Sequence, residues 1–368
     1  MQSGLTSRQA MLWFILYQIG SAFLLLPSAI TAIAKQDAWI SVLLSIVLHL
    51  LWLPVYIAIA KQMNGKPFAS HLSVLLGKWG GALFMCGFVV LFPYLTFILT
   101  LRNLSDFVTT VVLPDTPDIA IYIVIAVILY AAVRKGVPVL GRSAEILFFV
   151  LPVLYLIVSF TLLPSARLEN LLPVFEFGWK PIVLASFPLL SFPYMESVLF
   201  LFFVSSVNNL GQWKKALIGS SVISGVMYFV MIVHVLAVNG PEVTAHSTYA
   251  SYYVVRTISI GDFIERFEII VTIFWYISMF FRLALLLYVT VRGLADGMKL
   301  KEMNPLVLPL LLIAIVLAYS VWPNTSYLIE FFQVWPLYSI VFGVFLPLLL
   351  WMLGKLKQHR AAAKKPSP

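Results

Sequence analysis

The sequence predicts an all-α integral membrane protein of ten transmembrane helices, built as an inverted 5+5 repeat in which helices one and six are broken. Three observations carry that expectation. Of 368 residues, 61% are hydrophobic and 11% charged, with mean hydropathy +0.99, far outside the range of soluble domains. Ten apolar runs approach the ~20 residues needed to cross ~30 Å of hydrocarbon. The first and sixth runs are interrupted by glycine, proline and small polar residues at corresponding positions of the two halves, the sequence pointer to an inverted repeat with a site at the midplane.

In order, the runs are 11–34, 38–60, 82–105, 118–133, 144–163, 182–207, 215–238, 267–291, 305–322 and 332–353. They are continuously apolar, whereas barrel strands would alternate. The fourth is short and stops at Arg134-Lys135. The first is about twice the apolar core of a signal peptide and has no small-residue cleavage site, so it is expected to remain in the mature protein. Gly77-Lys78-Trp79-Gly80-Gly81 reads as the turn into run three, and the long connection from Asn239 to Arg266, with Tyr249, Tyr252 and Tyr253, is expected to hold short helices. Residues 1–354 read as one ten-helix domain and residues 355–368 as a basic cytoplasmic tail.

Charge placement sets the orientation. With both termini cytoplasmic, the inner segments hold 17 of the 24 basic residues, among them Arg8, Lys61, Arg134, Lys135, Lys214, Arg292 and Lys301, against only three acids, Glu145, Asp296 and Glu302. That follows the positive-inside rule, so the net charge of +9 is a topological signal. The same residues are scattered over short loops and form no stripe, which excludes nucleic acid as a partner. The lone Cys86 permits no internal disulfide. No zinc-protease, nucleophile-elbow or phosphate-loop motif is present, so the chain does not read as an enzyme, and neither a metal nor another cofactor is called for.

Candidate site residues come from the two interruptions. Run one carries Gln18-Ile19-Gly20-Ser21-Ala22 ahead of Pro27, and run six carries Pro188, Ser191 and Pro193 ahead of Tyr194 and Glu196. Glu196 is the single charge between Ile182 and Val207, and a carboxylate at that depth is a functional candidate by default. Half-helix ends suit an amino-acid ligand, because free N–H groups attract a carboxylate and free carbonyls accept from an ammonium. Gly20, Ser21, Ala22, Ser191, Tyr194 and Glu196 are therefore the expected ligand-binding set, with Tyr17, Phe23 and Tyr94 as further lining candidates. The alternative is a pair of ordinary kinks with lipid-facing rings, since Gly and Pro are common in spanning helices. His49 and His234 read as polar packing, and Glu145 as an interfacial partner of Arg142. Arg102, near the end of run three, is expected to snorkel.

Several short motifs recur in order along the chain: Leu5-Thr6-Ser7-Arg8-Gln9 with Ile19-Gly20-Ser21, Arg142-Ser143-Ala144-Glu145-Ile146, Asn170-Leu171-Leu172-Pro173-Val174, Met195-Glu196, Ile264-Glu265-Arg266-Phe267-Glu268 with Trp275, and Ser320-Val321-Trp322-Pro323. On these the chain resembles the spore germination permeases, the multi-pass B-type subunits of nutrient germinant receptors. The resemblance implies a LeuT-like member of the amino acid-polyamine-organocation superfamily in the inner membrane of a bacterial endospore. Its implied partners are a larger membrane subunit and a lipoprotein subunit, with a small nutrient as ligand and the lipid bilayer as solvent. It also implies that spans one, three, six and eight surround a central cavity, which puts Arg102 and Arg282 among the gate candidates and a Glu196–Arg282 ion pair within reach. Such a pair would gate the cavity, or Glu196 would take a ligand ammonium or a proton; the plain alternative is a pair that rigidifies the bundle. Two departures stand out: Ala22 replaces the second glycine of the superfamily's first break, and Tyr194 replaces a glycine near the span-six glutamate. Besides the receptor reading, a proton-coupled amino-acid secondary transporter and a subunit that has lost its own ligand binding stay open.

Overall fold

The computed structural model describes residues 4–256, 267–322 and 326–363. Ile264, Glu265, Arg266, Pro323 and the tail residues 364–368 lie outside the described residues. Thr6 starts the bundle: its hydroxyl accepts the Gln9 N–H at 3.1 Å while Gln9 Oε1 accepts the Thr6 N–H at 3.2 Å, a reciprocal cap on α1 (Ser7–Ile19). Gly20 then takes φ +20° and ψ −137°, outside helical space, and α2 (Ala22–Ala34) follows. After α3 (Ala38–Met63), α4 (Phe68–Val89) turns at Gly77, whose φ of +81° favours glycine, and leads through a π-helical turn, Val90–Tyr94, into α5 (Leu95–Phe107).

The middle of the chain forms α6 (Asp118–Arg134), α7 (Val137–Phe148), α8 (Val150–Leu162) and α9 (Trp179–Leu189). A second π-helical turn, Leu190–Tyr194, interrupts run six, with Phe192 at φ −141° and ψ 103°, and a 3₁₀ segment, Met195–Phe203, continues it. Pro188 and Pro193 each remove a backbone donor there, so an unbroken α ladder is not available. Next come α10 (Leu210–His246), α11 (Ala250–Arg256), α12 (Glu268–Gly297), α13 (Asn304–Ser320), α14 (Ser326–Ile340) and α15 (Leu346–Ala363). The one β-bridge among the described residues pairs Leu5 with Val207.

Among the described residues, seven stretches are long and apolar enough to cross a membrane, including Ala22–Met63, Phe68–Val112, Trp179–Phe203 and Glu268–Gly297. Helix also fills the shorter runs at Asp118–Arg134 and Asn304–Ser320. Side chains such as Ile123, Val127, Phe160, Leu312 and Val316 point outward, as a hydrocarbon surround requires. Inside, α12 is the spine: Phe281 to Val291 is buried throughout and the helix packs on α1, α4, α5, α6 and α8. Opposite it, α10 presents the small buried residues Ser220, Ser221, Ser224 and Gly225, which let α1 and α3 approach closely.

Both ends of the described chain reach the same end of the bundle. Gly4, Leu5, Gly65, Lys135, Arg292 and Lys301 line one cavity of about 770 Å³ there, and Gln62 next to it donates to the Trp351 carbonyl of α15 at 3.1 Å.

Candidate functional site

Where the interruption after α1 faces the one after α9, the structure brings together Tyr17, Gly20, Glu196 and Arg282. Glu196 and Arg282 are both fully buried. Nη2 of Arg282 lies 2.8 Å from Glu196 Oε2 and 3.0 Å from Oε1, and the Tyr17 hydroxyl donates to Oε2 at 2.7 Å. Two rings flank the guanidinium, with its carbon 4.8 Å from the Tyr17 centroid and 4.5 Å from that of Phe192. Nη1 reaches the Tyr17 carbonyl at 3.4 Å and Nε the Thr100 hydroxyl at 3.5 Å. Gly20 is what lets the arginine pass. A Cβ there would collide with Arg282 Cδ.

The last carbonyls of α1 are also satisfied by side chains. The Tyr228 hydroxyl donates to the Gln18 carbonyl at 2.6 Å and to that of Ile19 at 3.0 Å. Gln18 itself donates to Ser197 Oγ at 3.1 Å and accepts from Ser224 Oγ at 2.8 Å, tying α1 to both α10 and the 3₁₀ segment. Ser197, Ser224 and Tyr228, with Thr100, were not singled out from sequence, although Ser220, Ser221, Ser224 and Tyr228 form a polar stripe at helical spacing in an apolar run. The turn Val341–Phe345 closes the arrangement from the other side: the Gly343 carbonyl accepts from Tyr56 at 2.8 Å and Trp52 at 3.0 Å, and Tyr56 is also 3.2 Å from the Met195 carbonyl.

The other expected residues divide. Ser21 is buried beside the pair with its hydroxyl unpartnered, at a cavity of about 30 Å³ shared with Thr100, Asn103, Phe192, Trp322 and Trp335, room for about one water. Ala22 is buried at the first turn of α2. Ser191 turns back to donate to the Pro188 carbonyl at 3.0 Å, so it mends the interruption. Tyr194 stacks on His49 with centroids 4.2 Å apart, its own hydroxyl unpartnered, and His49 Nε2 is 2.9 Å from Ser221 Oγ. Three others have different partners. Tyr94 donates to the Leu310 carbonyl at 2.8 Å, because it leaves its π-turn on the α13 side. Phe23 packs on Tyr155 and Phe274, beside His234, around a separate apolar cavity. Arg102 does not snorkel: it is 8% exposed and its Nε lies 2.8 Å from Asp106 Oδ1, one turn along, while Asp106 also accepts from Trp322 at 2.9 Å. Glu145 meets Arg8 at 3.3 Å and Gln9 at 3.1 Å. Among the described residues no three His, Cys, Asp or Glu side chains group as a metal site.

Rings link the pair to the large cavity at the chain-terminal end. Tyr17 meets Phe200 edge-on at 5.5 Å, Phe200 stacks on Phe14 at 3.9 Å, and Phe203 joins Phe14 to Tyr288 at the cavity wall. The charged pair is therefore sealed from that end by an aromatic layer.

Residues 4–327 match the family model described as spore germination protein. The chain belongs to that family. It is 28% identical over 363 residues to spore germination protein KB of Bacillus subtilis (strain 168), covering 97% of this chain and 96% of that protein. It is also 28% identical over 360 residues to the putative spore germination protein YfkT of the same organism, covering 97% of this chain and 98% of the relative. Among solved structures it resembles that of MhsT in complex with L-phenylalanine, with TM-score 0.64 and 16% identity over 97% of this chain and 90% of the other, a likeness of fold. Family membership and the apolar helices together make this an integral membrane protein.

Proposed function

We propose that the chain is the multi-pass membrane subunit of a spore nutrient germinant receptor: a small nutrient binds between the two interruptions and shifts a conformational equilibrium that partner subunits read. The observation that carries this reading is the fully buried Glu196–Arg282 pair, placed where α1 and run six lose their helical ladders. A charged pair at that depth is costly, and a ligand that competes for either partner has differential affinity for the states in which the pair is made or broken. That is the requirement for a switch.

The architecture that goes with it is ten spans in an inverted 5+5 arrangement, with spans one and six broken, forming a single domain over 1–354 and a basic tail over 355–368. Both termini face the cytoplasm, supported by the basic residues around the terminal cavity, and the membrane is the inner membrane of the endospore. The partners are a larger membrane subunit and a lipoprotein subunit. A proton-coupled amino-acid transporter is the second reading, favoured by the fold shared with MhsT. Spores lacking the gene, screened against amino acids, sugars and nucleosides, separate the two. Loss of one nutrient response, restored by the wild-type gene, supports the receptor. Unchanged germination together with nutrient uptake by vesicles holding this chain alone supports the transporter.

A further inference from the structure

The cavity of about 770 Å³ at the chain-terminal end falls within the roughly 300–1,000 Å³ of small-molecule sites. Phe68, Phe202 and Tyr288 give it a buried aromatic floor, and its wall carries four cations, Arg134, Lys135, Arg292 and Lys301, against two acids, Asp296 and Glu302. Asp296 is already taken, its Oδ2 lying 3.1 Å from Arg292 Nε one turn away. Arg134 is held in place by Tyr130, whose hydroxyl accepts from Nη1 at 2.8 Å and whose ring centroid lies 5.0 Å from the guanidinium carbon. Among the described residues neither Lys135 nor Lys301 has an ion-pair partner. The wall therefore keeps an excess of two positive charges, with two ammonium groups on flexible stems able to close on an anion.

The backbone adds to that field. The helices α4, α7 and α13 all begin at the cavity, with Pro67, Val137 and Asn304 among its lining residues, and none has a side-chain cap or an acid in its first turn. By contrast, α1 and α10 are capped by Thr6 and Asn209. First-turn N–H groups left without a side-chain acceptor favour a negative guest. We infer that this cavity binds a phosphate monoester. Such a group carries about −1.5 to −2 charge at pH 7, which matches the excess on the wall, and the aromatic floor takes the carbon part of the guest. A free organic phosphate and the headgroup of phosphatidic acid present the same chemistry. Once bound, the guest bridges the starts of α4, α7 and α13 and the chain at Ser205 and Ser206, and it favours the conformations that keep those segments together. Binding at this cavity is independent of whether the chain senses or transports.

The test melts purified full-length protein in a neutral detergent with glycerol 3-phosphate, phosphatidic acid or phosphatidylcholine, at equal ionic strength. The wild type is expected to gain about 2–4 °C at saturation with at least one of the first two and nothing from phosphatidylcholine. A gain from glycerol 3-phosphate makes the free phosphate sufficient; a gain from phosphatidic acid alone assigns the site to the lipid headgroup. Lys135→Ala/Lys301→Ala is expected to lose the gain while still folding, since both lysines are exposed. Lys214→Ala/Lys215→Ala removes two exposed lysines near the start of α10, outside the cavity, and is expected to keep it. Three results overturn the inference: a wild type indifferent to both phosphates, an equal gain from phosphatidylcholine, or a gain that the two lysine pairs affect alike. No nutrient is present in any arm, so failure here is distinct from failure of the receptor reading.

Discussion

Breaking the Glu196–Arg282 pair from one side should cost far more than removing it whole. Glu196→Gln keeps the shape and an acceptor for the Tyr17 hydroxyl at 2.7 Å but leaves the Arg282 charge uncompensated, with both side chains at zero exposure. Loss of one partner from a buried pair costs about 3–5 kcal/mol. The Glu196→Leu/Arg282→Met double variant removes both charges and conserves apolar volume, so its cost should fall below that of either single change, giving a coupling energy of at least about 3–5 kcal/mol. An internal comparison is the Arg292–Asp296 pair, 3.1 Å apart but with Arg292 45% exposed, which should contribute no more than about 0.5 kcal/mol. Thermal or denaturant unfolding in one detergent compares the purified wild type with Glu196→Gln, Glu196→Leu, Arg282→Met, the Leu/Met double and Asp296→Asn. Single variants at Glu196 no less stable than Asp296→Asn, or a double variant that merely sums the singles, would refute the reasoning.

Other outcomes follow from the same contacts. Gly343→Ala should destabilise by several kcal/mol, about the cost of overpacking, because its Cβ would lie 2.8 Å from the Met195 carbonyl oxygen, whereas Gly87→Ala meets nothing and should be neutral or raise the melting temperature. Tyr228→Phe leaves the Gln18 and Ile19 carbonyls without their donor and should cost about 1–3 kcal/mol in unfolding. Asp106→Asn removes the nearer of the two carboxylates on Arg102, leaving Asp118 at 3.8 Å, and should destabilise measurably in the same assay.

How far the sequence reached depended on the kind of signal. Glu196 and Arg282 were legible because a lone charge in an apolar run has few places to go except toward another. The interruption at Gly20 was legible too, since backbone needs are written in residue type. Facing was not: in runs apolar all round, hydropathy assigns no inner side, so whether Tyr94 and Phe23 face a cavity or lipid stayed open, and Tyr94 bonds to α13 while Phe23 packs against α8 and α12. For Arg102 the signal existed in Asp106, four residues on, and burial overrode the snorkelling expectation. The π-turns at Val90–Tyr94 and Leu190–Tyr194 both end in Phe-Pro-Tyr, a repeated trace of the lost donor that hydropathy does not register. Gly343 was invisible as a site residue because its role depends on the backbone of Met195, far away in sequence.

The most direct test of the central claim is germination of spores carrying Glu196→Gln, at wild-type protein level in the membrane, beside a stability-matched control, Leu311→Ala, which empties a buried position in α13 away from the pair. The expected result is that Leu311→Ala spores respond to the nutrient and Glu196→Gln spores do not. A normal nutrient response from Glu196→Gln spores would contradict a switch built on that carboxylate.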